Sequence, residues 1–458
     1  MAEQTLRAGV AEVDVTPPMG VEMCGYGPYL KRVCTDVLDP LRARALWLES
    51  GGSAVVLITA DLCTVDASTR DEVAREISRR CRVGEESVLV AASHTHSGPA
   101  TQLMIAWGER DPGYMASLPG LLVEAALEAR RAAEPARLGV CRARIFNVGV
   151  NREQGDFGPL DTAAQLLRVD RADGTPMAAV FNFGAHAVTR YPFTSRISAD
   201  WPGLVAAAIK HEMKGAVALF LQAPCGNING HRVIFDRTDR ETRQKVCDMQ
   251  AGWTAQHFCE QALPALRAVE TKADAALGAA LRRVALPCVR PDRAALEETV
   301  EKNLKLAESM KLEDLPPLHE RPEQDAPEVC AWQRARFEVD SCRKQLALLD
   351  AGADSVEAPL QVLRVGEAAI AGWPGEVFVE LGIELRQRSP VRCTFVASFA
   401  NHCAGYIPTE AAYESQGQPH QFGIYPTTVT PRVYGCLPFR KDVGRIFTDT
   451  TLAMLSER

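Results

Sequence analysis

The chain has 458 residues, 47% of them hydrophobic and 24% charged, with a net charge of -7. That is the balance of an ordinary soluble globular protein of α/β size, and it lacks the basic excess expected of a nucleic-acid partner. No apolar run approaches the roughly 18 residues of a membrane-spanning helix.

The opening Met1-Ala2-Glu3-Gln4-Thr5-Leu6-Arg7 has neither the basic nor the apolar region of a secretory signal. The fourteen cysteines are scattered, with no Cys-x-x-Cys pair. They read as reduced, buried residues of a cytoplasmic protein.

Arg7 to Pro18 alternates as a strand and stops at a proline pair, before a loop rich in glycine (Gly20, Gly25, Gly27). Leu41–Leu48 and Ala54–Leu62 read as neighbouring strands across a Gly-Gly turn, the second closed by Asp61. A helix is expected over Asp66–Arg80 and another over Gly120–Ala133. Between them Ser87–Ala92 is a buried strand running into Ser93-His94-Thr95-His96-Ser97-Gly98-Pro99. In an extended strand His94 and His96 would share a face about 7 Å apart.

Strands follow at Arg142–Arg152, Gln165–Asp170 and Pro176–Phe183, the last leading to His186. A helix is expected over Leu204–Met213, then a strand over Ala216–Gln222 that breaks into the turn Cys225-Gly226-Asn227-Ile228-Asn229. A long helix from Glu241 is expected to stop at Pro264. Residues 290–350 are highly charged and amphipathic and read as an inserted helical hairpin: a cap, a contact between copies in a homo-oligomer, or a solvated decoration. Strands return at Pro359–Ile370 and Thr394–Ala400, with Glu376 opening a helix between them. The order implies an α/β fold of layered mixed sheets with helices.

The suggestive polar residues lie just past apolar strands: Asp61, His94, His96, Asn151-Arg152, His186, Asn227, Asn229, Glu376 and Tyr406. α/β proteins place ligand and catalytic groups at such carboxyl edges. Two or three histidines with a carboxylate suit zinc with an open position.

Taken together, these segments resemble the catalytic domain of the neutral/alkaline non-lysosomal ceramidase family. The resemblance rests on Gly9-Val10-Ala11 through Pro17, Tyr26, Asp61-Leu62, Ser93–Pro99, Asn151-Arg152, His186 with Ser198-Ala199-Asp200, Ala223–Asn229, Pro374-Gly375-Glu376, and Gly405-Tyr406 with Thr409, Glu410 and Tyr413. It implies one domain over 1–458 with the 290–350 insertion inside it. It also implies a single zinc held by His94, His186, Glu376 and Tyr406, with His96 and Arg152 facing the substrate.

Two departures qualify the implied activity. Asn229 stands where ceramidases carry a serine nucleophile, and the chain ends where they continue into a β-sandwich. The expectation is therefore a zinc-dependent hydrolase that splits an amide or ester of a small polar molecule with metal-activated water. Asn229 would donate a hydrogen bond, and His96 or Asp61 would carry the proton. Asp61 and His96 could also hold a second metal. Tyr26, Cys225 and Asn227 are expected to line the substrate, Cys225 being a competing nucleophile. A metal-dependent lyase or isomerase working through an enolate, a ceramidase-like lipid amidase, and a non-catalytic binding protein are the alternatives.

Overall fold

The computed structural model describes residues 5–155, 157–230, 239–322, 325–414 and 424–457. Its centre is an 8-stranded mixed sheet. Across the sheet the strands run Val217–Gln222, Pro176–Phe183, Ala163–Arg171, Glu134–Arg144, Arg7–Asp14, Arg42–Ser50, Ser53–Ala60, Val88–Ala92. Both outermost strands are parallel to their neighbours and the pairings between are antiparallel. The parallel edge strands are apolar except for the terminal Gln222, because they are covered on both faces.

A second, 4-stranded sheet (Leu277–Pro287, Ser355–Val365, Ala368–Gly372, Cys393–Ala397) packs on one face of the first. The alternating residues Leu46, Leu48, Leu57 and Leu89 of the large sheet meet Leu363, Ile370 and Phe395 of the small one in a buried layer. Helices Ala67–Cys81, Pro112–Arg131, Asp200–Glu212 and Arg240–Ala268 cover the other face of the large sheet. Helices Val379–Arg388 and Val443–Ser456 pack outside the small one. Gly9 is required here: a Cβ on it would lie 2.1 Å from the carbonyl oxygen of Ala129, so only glycine lets the Pro112–Arg131 helix approach the strand so closely.

Segment 398–401 joins the two ends of the large sheet. Ser398 N–H donates to Gln222 O (2.8 Å) on one edge strand, while Ala92 N–H donates to Phe399 O (3.1 Å) and Asn401 N–H to Val90 O (2.6 Å) on the other. The carboxyl ends of edge strands seven positions apart in the sheet are thus brought to one place.

Three local expectations are corrected. The second helix starts at Pro112, capped by Asp111, and runs through Pro119. The long helix runs through Pro264 to Ala268. Interior proline costs about 3 kcal/mol, and burying Leu263 and Leu266, roughly 1.5–3 kcal/mol each, offsets it. Glu376 does not open a helix; Glu376–Val377 is a short strand paired in parallel with Tyr406–Ile407, and the helix begins at Val379.

The helical insertion leaves the open end of a β-hairpin whose strands pair from Leu277↔Val365 to Pro287↔Ser355. Its helices Arg293–Ala307 and Pro327–Asp350 pack together, with the Trp332 indole N–H donating to Ala307 O (3.0 Å). The insertion also grips the glycine-rich loop. Tyr29 O–H donates to Asp340 (2.5 Å), Lys31 Nζ to Leu315 O (2.6 Å), and Leu318 N–H to Lys31 O (3.0 Å).

Candidate metal centre

His94 sits two residues beyond the edge strand Val88–Ala92, and its N–H donates to Leu62 O at 2.8 Å. The backbone there is left-handed (φ +64°), so the extended geometry expected from the sequence ends before the pair. Instead of sharing a strand face, the rings of His94 and His96 stand edge to face, with Nε2 atoms 3.0 Å apart. His94 also stacks on Phe399, centroids 3.9 Å apart. His96 is held by Arg32, whose Nη2 donates to His96 O (3.0 Å), and its ring meets the edge of Tyr26 at 5.0 Å.

Backbone carbonyls fix the tautomers of the two buried histidines. His94 Nδ1 lies 2.8 Å from Cys63 O, and His186 Nδ1 lies 2.9 Å from Ile228 O. A carbonyl only accepts, so each Nδ1 carries the proton and each Nε2 presents its lone pair. Both Nε2 atoms lie near Glu376 Oε2, that of His186 at 3.2 Å and that of His94 at 3.6 Å. Burial pushes the His94 imidazole down to about 4, although Glu376 opposes it, and pushes His186 down as well. Burial raises the Glu376 carboxyl, but His94, His186 and Arg152 outweigh it and hold it at about 2. Two neutral imidazoles and a carboxylate therefore converge as acceptors within 4.8 Å of one another. Such a donor-poor set fits a divalent cation.

The strand pairing Glu376↔Tyr406 sets the phenol of Tyr406 beside this cluster. Its hydroxyl receives Arg152 Nη2, and burial keeps the phenol protonated by raising its pKa, which Arg152 only partly opposes. Arg152 also donates from Nε to Gly226 O (3.1 Å) and from Nη1 to Asn229 Oδ1 (3.3 Å). Its positive charge is retained against burial by Tyr406 and Glu376. His94, His96, Arg152, His186, Asn229, Glu376 and Tyr406 are thus brought together.

Asp61 leaves the group. Arg44 Nη1 donates to both its oxygens at 2.9 Å, and the Arg42 N–H takes one of them as well at 2.9 Å. It joins no metal-competent cluster among the described residues, so the expected pairing with His96 around a second metal is not formed. Cys63 is the residue found beside His94 and His96, its Sγ 3.6 Å from His94 Nδ1. A hydrogen bond with Cys24, together with burial, holds it as a thiol.

Two expected substrate residues are structural. Cys225 is fully buried and burial raises its thiol well above the ordinary range, the setting of an unreactive core cysteine. Asn227 spends both ends of its amide on the Val379–Arg388 helix, accepting from Val379 N–H (2.9 Å) and donating to Glu380 (2.9 Å). Sequence reasoning missed Arg32, Cys63 and Tyr434. The Tyr434 O–H donates to Glu376 Oε1 at 2.5 Å, and no local pattern marks it.

Fold and site define an α/β protein with a buried centre able to hold a divalent cation. The chain belongs to the neutral/alkaline non-lysosomal ceramidase family: the family's N-terminal description matches residues 6–262, more than half of the 458. It is 25% identical over 225 residues to neutral ceramidase A of Dictyostelium discoideum, covering 44% of this chain and 31% of that protein. It is 25% identical over 273 residues to a neutral ceramidase of Mycobacterium tuberculosis, covering 51% and 42%. Each match therefore spans less than half of the relative's own length. The crystal structure of the neutral ceramidase from Pseudomonas aeruginosa superposes with a TM-score of 0.70 at 19% identity, covering 99% of this chain and 75% of that one. That likeness shows the layered α/β fold.

Proposed function

We propose that this protein is a zinc-dependent hydrolase of amide bonds. The reading is carried by the convergence of His94 Nε2, His186 Nε2 and Glu376 Oε2, with both imidazole protons spent on backbone carbonyls. The Tyr406 phenol, paired in register beside Glu376, would supply a fourth ligand. Zinc bound there supplies a Lewis acid for the carbonyl and a water of lowered pKa, about 7.

The chain's own residues supply the rest. Arg152 and the neutral His96 imidazole carry N–H groups close to the cluster. They would steady an oxyanion as an amide carbonyl becomes tetrahedral, and burial strengthens each such bond. Asn229 Oδ1 orients Arg152, and because an amide at this position is no nucleophile, water is the attacking group in this scheme. The names of the relatives support a lipid amide of the ceramide type as substrate; Asn229 supports the smaller polar amide. An intracellular location is proposed with it, supported by fourteen cysteines that are all free thiols.

The test is metal analysis of the purified protein beside His186→Ala, followed by turnover of an N-acyl sphingoid base and of short N-acyl amino acids in heavy-oxygen water. One zinc per chain, lost in the variant, with label in the released carboxylate, is expected. Exchange of a carbon-bound proton without label in the product would instead establish a lyase or isomerase.

A further inference from the structure

Glu376 presents its two oxygens to different partners. Oε2 faces His186 Nε2 (3.2 Å) and His94 Nε2 (3.6 Å). Oε1, the other oxygen, receives the Tyr434 hydroxyl at 2.5 Å. A carboxylate with both oxygens free can hold a cation through one or through two of them, and the choice changes how many positions remain for water and substrate. We infer that Tyr434 is a positioning residue that confines Glu376 to a one-oxygen contact with the cation. The inference rests on the metal-centre reading given above.

The surroundings of Tyr434 are built to hold that ring. It is 9% exposed and follows the short helix Thr430–Val433, where its N–H donates to Thr430 O (2.9 Å). Gly435 then turns the chain away with φ +62°. Two residues upstream, Arg432 anchors the turn to the insertion helix Pro327–Asp350, donating from Nε to Ser341 Oγ (3.0 Å) and from Nη2 to Glu338 (2.5 Å). Gly405 leaves the ring its space: its φ is +116°, and a Cβ there would lie 3.3 Å from the Tyr434 ring. The same glycine precedes Tyr406, which receives Arg152. Through Arg432, the insertion fixes a group that touches the candidate ligand.

A core tyrosine with an incidentally satisfied hydroxyl would look similar but behave differently on removal of that hydroxyl. The full chain is loaded with cobalt(II), and wild type is compared with Tyr434→Phe by stoichiometry, chelator competition and visible absorption. Thermal unfolding of both metal-free proteins reports their folding. Tyr434→Phe should still take up one cobalt per chain, bind it about 10–100-fold more weakly, and show a weaker, shifted absorption band as the second oxygen of Glu376 is released. Gly405→Ala, which pushes the ring without removing the hydroxyl, should shift the band in the same direction. Unchanged affinity and an unchanged band in Tyr434→Phe would overturn the inference while leaving the metal reading intact. A wild-type chain that takes up neither cobalt nor zinc would overturn both.

Discussion

Asp61→Asn separates a structural acid from a catalytic one. The substitution keeps the shape of the side chain and removes its charge. Asp61 and Arg44 are 3% and 8% exposed, and Arg44 Nη1 contacts both carboxylate oxygens at 2.9 Å. Burial opposes the charge on Arg44, and Asp61 with Glu12 outweighs it. Removing one member of a buried pair costs roughly 3–5 kcal/mol, because the other charge is left without its partner. Arg44 would keep Glu12, whose Oε2 lies 3.0 Å from its Nε, so the loss should fall near the lower end, about 3 kcal/mol. Equilibrium urea unfolding measures it. The double variant Arg44→Met/Asp61→Leu should recover most of the loss, since buried pairs replaced by apolar residues are often no less stable. Metal content and turnover per folded molecule should match wild type in Asp61→Asn. Native stability combined with a turnover loss of a hundredfold would refute this reasoning and return Asp61 to the chemistry.

Two further outcomes are expected. The folded chain holds His94 at about 4 and His186 below its ordinary value, while the unfolded chain binds those protons near 6.5. The unfolded state therefore holds more protons below that pH, and the metal-free protein should lose stability steadily from about pH 6.5 to 4; a flat profile in thermal melts across that window would show these imidazoles to be accessible to protons. Cys225→Ala should leave the proposed turnover within twofold, and thiol-alkylating reagents should have no effect on the native protein, because the thiol is fully buried; rapid inactivation that the variant resists would make Cys225 the nucleophile.

What could be read from the sequence and what could not divides along the range of the interactions. His94, His186 and Tyr406 were visible as polar residues at the ends of apolar strands, and the family resemblance grouped them with Glu376. That grouping is long-range, and only the joining of the sheet edges by segment 398–401 shows how it arises. Asp61 stood at an equally suggestive strand end. Its partner is set by the register of the adjacent strand, where Ala43 lies opposite Ala60, and nothing near position 61 in the chain reveals Arg44. Asn227 looked like a flexible turn residue facing a ligand, yet it serves a helix 152 residues later. The proline at 264 was read as a stop because local rules omit the apolar face that carries the helix onward.

The dispersal of the centre along the chain has a consequence for biosynthesis. His186 and Glu376 are 190 residues apart, and Tyr406 comes later still. A ribosome that has released the first half of the chain has made both histidines but no carboxylate to complete the trio, so a nascent chain offers only a weak, two-nitrogen foothold for a cation. Closing loops of that length is entropically slow. Loading of a cation would then wait for the last third of the chain to dock, and the ion would act as a late staple: it would reward only the finished topology and shift the folding equilibrium in proportion to how far its free concentration exceeds the Kd.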